Sequence, residues 1–305
     1  MEQPKVSIII PVYNRADIIA ETILSALNQT YKNLEIIIVD NCSTDNTYEI
    51  IEKFAKDDGR ISFYKNSTNV GPVRNWMECL KYISGEYTKI LWSDDQISTT
   101  FIEKTLRLFD NDTAFVITNT VVYSKNIGDG SVHFFLSTEK ITTEEFIEGL
   151  ILSTLHLSVS PGCAIFRTQD VKDNLLLNIP NNEGLDFSKY GAGNDALIFL
   201  LTAAKYKYVK SVNTVESYFK KHPDSFSMVN RLNIYYEWAF LYFVKLQSQK
   251  KLCSKFKVIL FFRKIKYKNY AKVYASCNTK LDPILIIQLF FNKLFLLFKK
   301  HLLFS

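Results

Sequence analysis

Lys89-Ile90-Leu91-Trp92-Ser93-Asp94-Asp95 is a short apolar run that stops at two adjacent carboxylates. A run of this length and character reads as a buried strand. Its carboxyl end, where open α/β sheets bind their ligands, then carries Asp94 and Asp95. Hard divalent cations such as Mg²⁺ or Mn²⁺ take oxygen ligands and usually keep one or two protein carboxylates, phosphate oxygens and water supplying the rest. The pair is therefore a candidate site for a metal bound to phosphate, set against the plainer reading of a solvated Asp-Asp turn.

Working outward, strand and helix signals alternate through the first half of the chain. Val6 to Val12 is nearly continuous apolar sequence, Ile18 to Leu27 has helical spacing, and Leu34 to Val39 is a second apolar run ending at Asp40. Ser43 is placed to cap a helix to about Lys56, with Asp45 in its first turn. Ile61 to Tyr64 and Tyr87 to Trp92 read as further strands around a helix from Val73 to Ile83. Repeated βα units with continuous apolar strands imply a mostly parallel sheet covered on both faces. Capping boxes at Thr100-x-x-Glu103 and Thr142-x-x-Glu145 start two later helices. Val116 to Tyr123 and Val132 to Phe135 are strands about a Gly-containing turn. A helix from Asn194 to about Ala204 has Asn194 as its cap, and from Phe226 onward the pattern is helical.

The 305 residues allow one large α/β domain with an appendage, divided here as residues 1–225 and 226–305. A hydrophobic fraction of 47% excludes a disordered chain. Five cysteines, odd in number and never spaced C-x-x-C, suggest neither a disulfide framework nor a zinc knuckle and fit a reducing cytosol. A strand begins near residue 6 with no basic and apolar leader before it, so no cleaved signal is expected. The net charge of +6 hides an asymmetry: from Lys245 on there are 14 Lys and Arg against one acid, whereas the preceding residues carry 23 bases against 30 acids.

Several segments together resemble a family 2 glycosyltransferase with the GT-A fold. They are Val6-Ser7-Ile8-Ile9-Ile10-Pro11-Val12-Tyr13-Asn14-Arg15, Val39-Asp40-Asn41-Cys42-Ser43-Thr44-Asp45, Asn69-Val70-Gly71, Ser93-Asp94-Asp95 and Asn194-Asp195, in that order over roughly residues 4 to 230. The resemblance implies a nucleotide-sugar donor, a UDP-sugar first among the candidates, bound across the first half. Asp40 would contact the base, Pro11, Tyr13 and Arg15 would pack on base and ribose, and Asn69 and Gly71 would join the donor site. Mn²⁺ or Mg²⁺ would be held at Asp94 and Asp95. Trp92 stands where the family commonly has a first acid, which leaves open which of the two, Asp94 or Asp95, holds the metal and which touches the donor's ribose. Asp195 matches the catalytic carboxylate, with Asn194 replacing a Glu, and its expected role is to take the acceptor hydroxyl proton in an inverting transfer. His222, in Tyr218-Phe219-Lys220-Lys221-His222-Pro223-Asp224-Ser225, resembles a late segment whose histidine reaches the diphosphate or its metal. Pro161-Gly162-Cys163-Ala164-Ile165-Phe166-Arg167 resembles an acceptor-side strand.

Between Ile284 and Phe304 apolar residues dominate, yet Gln288, Asn292 and Lys299 fall within about 40° of one another on a helix, with Lys293 and Lys300 further round. The pattern predicts an amphipathic helix, not sharply divided, suited to an anionic membrane surface and not to nucleic acid, set against the plainer reading of a helix that closes the core or makes a dimer contact. Lys293 in its middle argues against a span, which needs ~20 largely apolar residues. The expected function is metal-dependent transfer of one sugar to a glycan or lipid-linked glycan acceptor in capsule, O-antigen or similar polymer synthesis, by a cytoplasmic protein peripheral on the inner face of the cell membrane. One rival, a nucleotidyltransferase, would want a Gly-rich basic loop after the first strand, which Pro11 to Arg15 lacks. A non-catalytic membrane-binding module would have no need of Asp94, Asp95 and Asp195.

Overall fold

The computed structural model describes residues 3–134, 138–155, 160–221 and 232–289. Its first half contains the strands Val6–Val12 (β1), Leu34–Asp40 (β2), Ile61–Lys65 (β3) and Tyr87–Ile90 (β4). The helices Ile19–Leu27 (α1), Thr47–Asp57 (α2) and Pro72–Lys81 (α3) connect them. β1 pairs in parallel with β2 on one side and β4 on the other, and β3 lies parallel outside β2. This order, 3-2-1-4, reverses direction between β1 and β4. A crevice opens at such a reversal because the two connections leave on opposite sides of the sheet.

Alternate strand residues point to opposite faces, and both faces are covered. Ile9, Ile37 and Val39 enter one core cluster with Val73, Trp76 and Leu80 of α3. Ile8, Ile10, Ile36 and Ile38 enter the other, with Ile19 and Ile23 of α1 and Ile51 of α2. Burial on both sides explains why these strands are apolar throughout.

The second half extends the same sheet. It contributes Gln96–Ile97 (β5), Phe101–Leu106 (α4), Thr113–Tyr123 (β6), Ser131–Phe134 (β7), Lys140–Thr142 (β8) and Thr143–Ile151 (α5). Ala164–Arg167 (β9), Thr168–Asn174 (α6), Asn194–Ala203 (α7) and Tyr208–Lys220 (β10) follow. β9 runs antiparallel between β4 and β6, and β10 is parallel to β6. The long strands therefore share one direction, and the carboxyl ends of β1, β2, β4, β6 and β10 lie along one edge. Three further helices, Asn233–Gln247 (α8), Lys250–Lys266 (α9) and Ala271–Ser276 (α10), come next. Trp238, Phe240 and Phe243 of α8 share a core cluster with Phe115 of β6, Phe166 of β9 and Phe199 of α7. Phe115 meets Phe199 edge-on at 5.0 Å between ring centroids.

Several local expectations are corrected. β4 stops at Ile90, Leu91 still giving its N–H to the Ile9 carbonyl at 2.9 Å while Trp92 lies beyond the ladder. Ser43 does not cap a helix: α2 begins at Thr47, and the Ser43 hydroxyl donates to Asp40 Oδ1 instead. Thr100 precedes α4, but its hydroxyl turns to Glu216 at 3.0 Å while Glu103 accepts from Thr30, so no capping box forms. The Thr142–Glu145 box is present as expected. Asn194 is the first residue of α7, not its cap; that place belongs to Gly193, at φ 86°. A side chain there would also bring its Cβ to 2.9 Å from the Tyr235 carbonyl oxygen, so both space and conformation select glycine.

Candidate active site

The loop after β1 is fastened to the loop after β2 by their own polar groups. The backbone N–H of Asn14 donates to Ser43 Oγ (2.9 Å), that of Arg15 to Thr47 Oγ1 (2.8 Å) and that of Ala16 to Asp45 Oδ2 (3.1 Å). Asn14 Oδ1 in turn accepts from the Thr44 N–H at 2.9 Å. Pro11 is buried at the end of β1, whereas Tyr13 is 40% exposed at the rim. Asp40 is buried at the end of β2, accepting from the Ser43 N–H and hydroxyl, with Lys65 Nζ 3.8 Å away.

Next to Asp40, a run of asparagine amides ties the loops after β2 and β3 to α3. Asn41 donates to Asn69 (2.8 Å), and Asn66 donates to Asn41 and to Asn75 (3.0 and 2.9 Å). Asn75, buried on α3, donates to the Val39 carbonyl at 3.0 Å. Asn69 Oδ1 also accepts from the N–H of Gly71, whose φ of 84° opens α3. The sequence reading found Asn69 and Gly71 but not Asn66 and Asn75. Buried amides need partners, and the buried Asn41 and Asn75 find theirs in the more exposed Asn66 and Asn69 and in the Val39 carbonyl.

Asp94 and Asp95 sit beyond β4 at the crevice. Asp95 is 6% exposed; its Oδ1 accepts from the Lys220 N–H at 3.1 Å and its carbonyl from Thr22 Oγ1 at 2.9 Å. Burial, then the adjacent Asp94, push its carboxyl well above the usual range, against the Lys220 N–H and the charge of Lys89. The Arg15 guanidinium lies 3.9 Å from Asp94 Oδ2, and Arg15 Nε is buried without a hydrogen-bond partner. Among the described residues no group of three His, Cys, Asp or Glu is arranged to hold a metal ion. His222 lies outside the described residues. The two adjacent carboxylates are the donor set that remains, and they fit a hard cation that takes most of its ligands from phosphate and water.

Lys89 was passed over by the sequence reading although it interrupts an apolar strand. Its side chain is wholly buried, Nζ donates to the Gly162 carbonyl, and the ammonium lies 4.4 Å from the centre of the Phe101 ring. Burial pushes this amine down to about 7.

Asp195 stands in the first turn of α7, partly buried. Oδ1 accepts from the N–H of Gly193 (2.9 Å) and of Ala196 (2.7 Å), and Oδ2 accepts from the Tyr236 hydroxyl at 2.7 Å. Burial pushes the carboxyl up to about 7, opposed by these donors. The segment leading to it leans on α3: Arg74 donates to Ser188 Oγ at 2.8 Å, and Gly191 leaves room for the Trp76 ring, which a Cβ would meet at 2.3 Å. Trp76 in turn lies 4.7 Å from Trp92, whose indole N–H donates to Ser160. Trp92, in the place of the family's first acid, is thus a packing element between the two sides of the site. Tyr236 had no local signal, since it sits on a helix of aromatic and apolar residues 41 positions beyond its partner.

Residues 7–175 match the sequence model of Glycosyl transferase family 2. The chain belongs to that family. It is 30% identical over 222 residues, 73% of this chain and 79% of the relative, to a UDP-Glc:alpha-D-GlcNAc-diphosphoundecaprenol beta-1,3-glucosyltransferase, WfaP, of Escherichia coli. It is 32% identical over 160 residues, 52% of this chain and 62% of the relative, to a putative teichuronic acid biosynthesis glycosyltransferase of Bacillus subtilis, TuaG. The chain spans about half the length of several curated relatives it matches, 42% and 46% in two of them. Among solved structures it is similar to residues 1–349 of S. aureus TarS in complex with UDP-GlcNAc, with TM-score 0.60, 19% identity, and coverage of 90% of this chain and 71% of that one. The fold is accordingly the GT-A type that the sequence motifs led one to expect.

Proposed function

We propose that this protein is an inverting glycosyltransferase that moves a sugar from a nucleotide-sugar donor to a lipid-linked glycan acceptor in the synthesis of a cell-surface polysaccharide. The observation that carries the reading is the packing of Gly191, Trp76 and Trp92, which links the Asp94–Asp95 crevice to the segment bearing Asp195, a carboxylate pushed by burial up to about 7, where it suits proton transfer at neutral pH. The name of the E. coli relative supports a UDP-sugar and a diphosphate-linked acceptor.

In this reading Asp40 and the asparagine run hold the base, and Pro11, Tyr13 and Arg15 line base and ribose. Asp94 and Asp95 would hold Mn²⁺ or Mg²⁺, which when bound would offset charge on the diphosphate. The resemblance implies a role at the diphosphate for His222, which lies outside the described residues. The acceptor oxygen attacks the anomeric carbon from the face opposite the nucleoside diphosphate. The new C–O bond forms as the old one breaks, the electron pair leaves with the phosphate oxygen, and the hydroxyl proton passes to Asp195. Configuration is inverted because attack and departure are on opposite faces.

The membrane surface enters the proposal through the C-terminal charge. No helix among the described residues is long and apolar enough to cross a membrane. Ile265, Ile284 and Ile287 are 70%, 66% and 57% exposed in this lysine-rich region. Most of the expected amphipathic helix, including Asn292, Lys293, Lys299 and Lys300, lies outside the described residues. Together, exposed isoleucines and lysines would favour peripheral attachment to anionic lipid on the cytoplasmic face.

Thermal denaturation against a panel of nucleotide sugars, with and without Mn²⁺, tests the reading. One donor should raise Tm through binding linkage, and more so with the ion present. A panel that leaves Tm unchanged throughout would contradict it.

A further inference from the structure

The Asp195 carboxylate is held from two directions by two different parts of the chain. Its own turn binds Oδ1 through the N–H groups of Gly193 and Ala196. The other oxygen, Oδ2, receives a hydrogen bond from Tyr236 on α8. Two donors on Oδ1 leave Oδ2 as the oxygen with an acceptor direction to spare, since each carboxylate oxygen offers about two such directions. The phenol therefore fixes which direction is left open to a substrate proton.

The placement of Tyr236 is itself fixed. Next to it in α8, Tyr235 packs edge-on against Phe187 and Tyr190, at 5.1 and 5.3 Å between centroids, in the segment that leads into α7. The Tyr235 carbonyl and Ala239 close over Gly193, where an added Cβ would meet them at 2.9 and 3.1 Å. Helix and turn thus fit at backbone distance, and the hydrogen bond follows from a rigid seat. Burial, then the charge of Asp195, push the Tyr236 hydroxyl well above its ordinary pKa, so it remains a donor across the neutral range.

We infer that Tyr236 is a positioning residue for the transfer reaction, its hydroxyl holding Oδ2 of Asp195 in line for the acceptor proton and setting the pH at which that carboxylate becomes a base. The inference rests on the reading of Asp195 as general base. It makes α8 part of the reacting machinery and ties base strength to the docking of that helix.

The test is an infrared titration of the full-length chain, following the protonated-carboxyl stretch assigned by its loss in Asp195→Asn. The wild-type band should titrate near 7. A hydrogen bond to the charged form lowers a carboxyl pKa, so Tyr236→Phe should move the midpoint up by about one pH unit. Incorporation of 3-fluorotyrosine at position 236 keeps the shape, strengthens the donor and should move it down. A midpoint unchanged in Tyr236→Phe overturns the inference. If that variant does not fold, an unchanged midpoint in the fluorinated chain overturns it equally. Failure of the underlying reading looks different: Asp195→Asn would then retain sugar transfer, whatever the titration of the wild-type carboxyl.

Discussion

The two sides of the sheet edge solve the same problem, holding polar groups out of water, by opposite means. On the donor side, loops after β1, β2 and β3 bind one another through short polar side chains close to strand ends: Asn14 to Thr44, Ser43 to Asp40, Asn41 to Asn69. On the base side, Asp195 depends on a tyrosine from a helix much later in the chain and on glycines that let Trp76 and α8 approach. The donor side is a lattice of local turns. The base side is a junction of distant elements, and its chemistry is therefore coupled to tertiary packing. The same contrast separates the two raised carboxyls: Asp95 is raised by burial beside another acid, Asp195 by burial against three donors.

The comparison can be broken most severely at the crevice. Replacing Asp94 and Asp95 together with Asn should abolish measurable transfer and the Mn²⁺ dependence of UDP binding, read by calorimetry, because the cation would lose both carboxylates. Retention of both would place the metal elsewhere. A smaller effect should sharpen the lattice description. Asn75→Ala removes a donor to Val39 and an acceptor for Asn66, and should cost about 1–3 kcal/mol in urea unfolding, the usual penalty for stranding buried polar partners. Loss near zero would mean that the amides are not a cooperative run. The smallest effect on chemistry belongs to the tail. A chain ending after Leu281 should keep its affinity for nucleotide sugar yet pellet less with phosphatidylglycerol vesicles, most visibly at low salt. Equal pelleting would assign the exposed Ile284 and Ile287 to another role.

What was legible in the sequence follows the same division. Continuous apolar runs ending in Asp40 and Asp94 marked strands and their carboxyl ends, because burial on both faces leaves a direct trace in composition. Ser43 and Thr100 misled because a hydroxyl near a helix start can serve a carboxylate outside the helix as well as the helix, and here the nearby Asp40 and the distant Glu216 claimed them. The reversed direction of β9 left no trace, since Ala164–Arg167 reads alike in either orientation. Lys89 did leave one, a charge inside an apolar run, whose partner at Gly162 could be known only from the fold. Tyr236 was hidden among the aromatics of α8, where seven core residues share its surroundings between Tyr235 and Val244.

The most direct test of the account is the Asp195→Asn variant, assayed for kcat and for UDP binding across pH. The amide keeps the shape and its oxygen can still accept from Gly193 and Ala196, while its NH2 group replaces the oxygen that accepted from Tyr236, so basicity and that one acceptor are lost. In the wild type kcat should fall as pH drops below about 7, where the carboxyl protonates. In the variant kcat should be lower by about 10²- to 10⁴-fold, with UDP affinity unchanged and that pH dependence gone. A near-normal kcat in Asp195→Asn, with the acid limb intact, would contradict the assignment of Asp195 as the base.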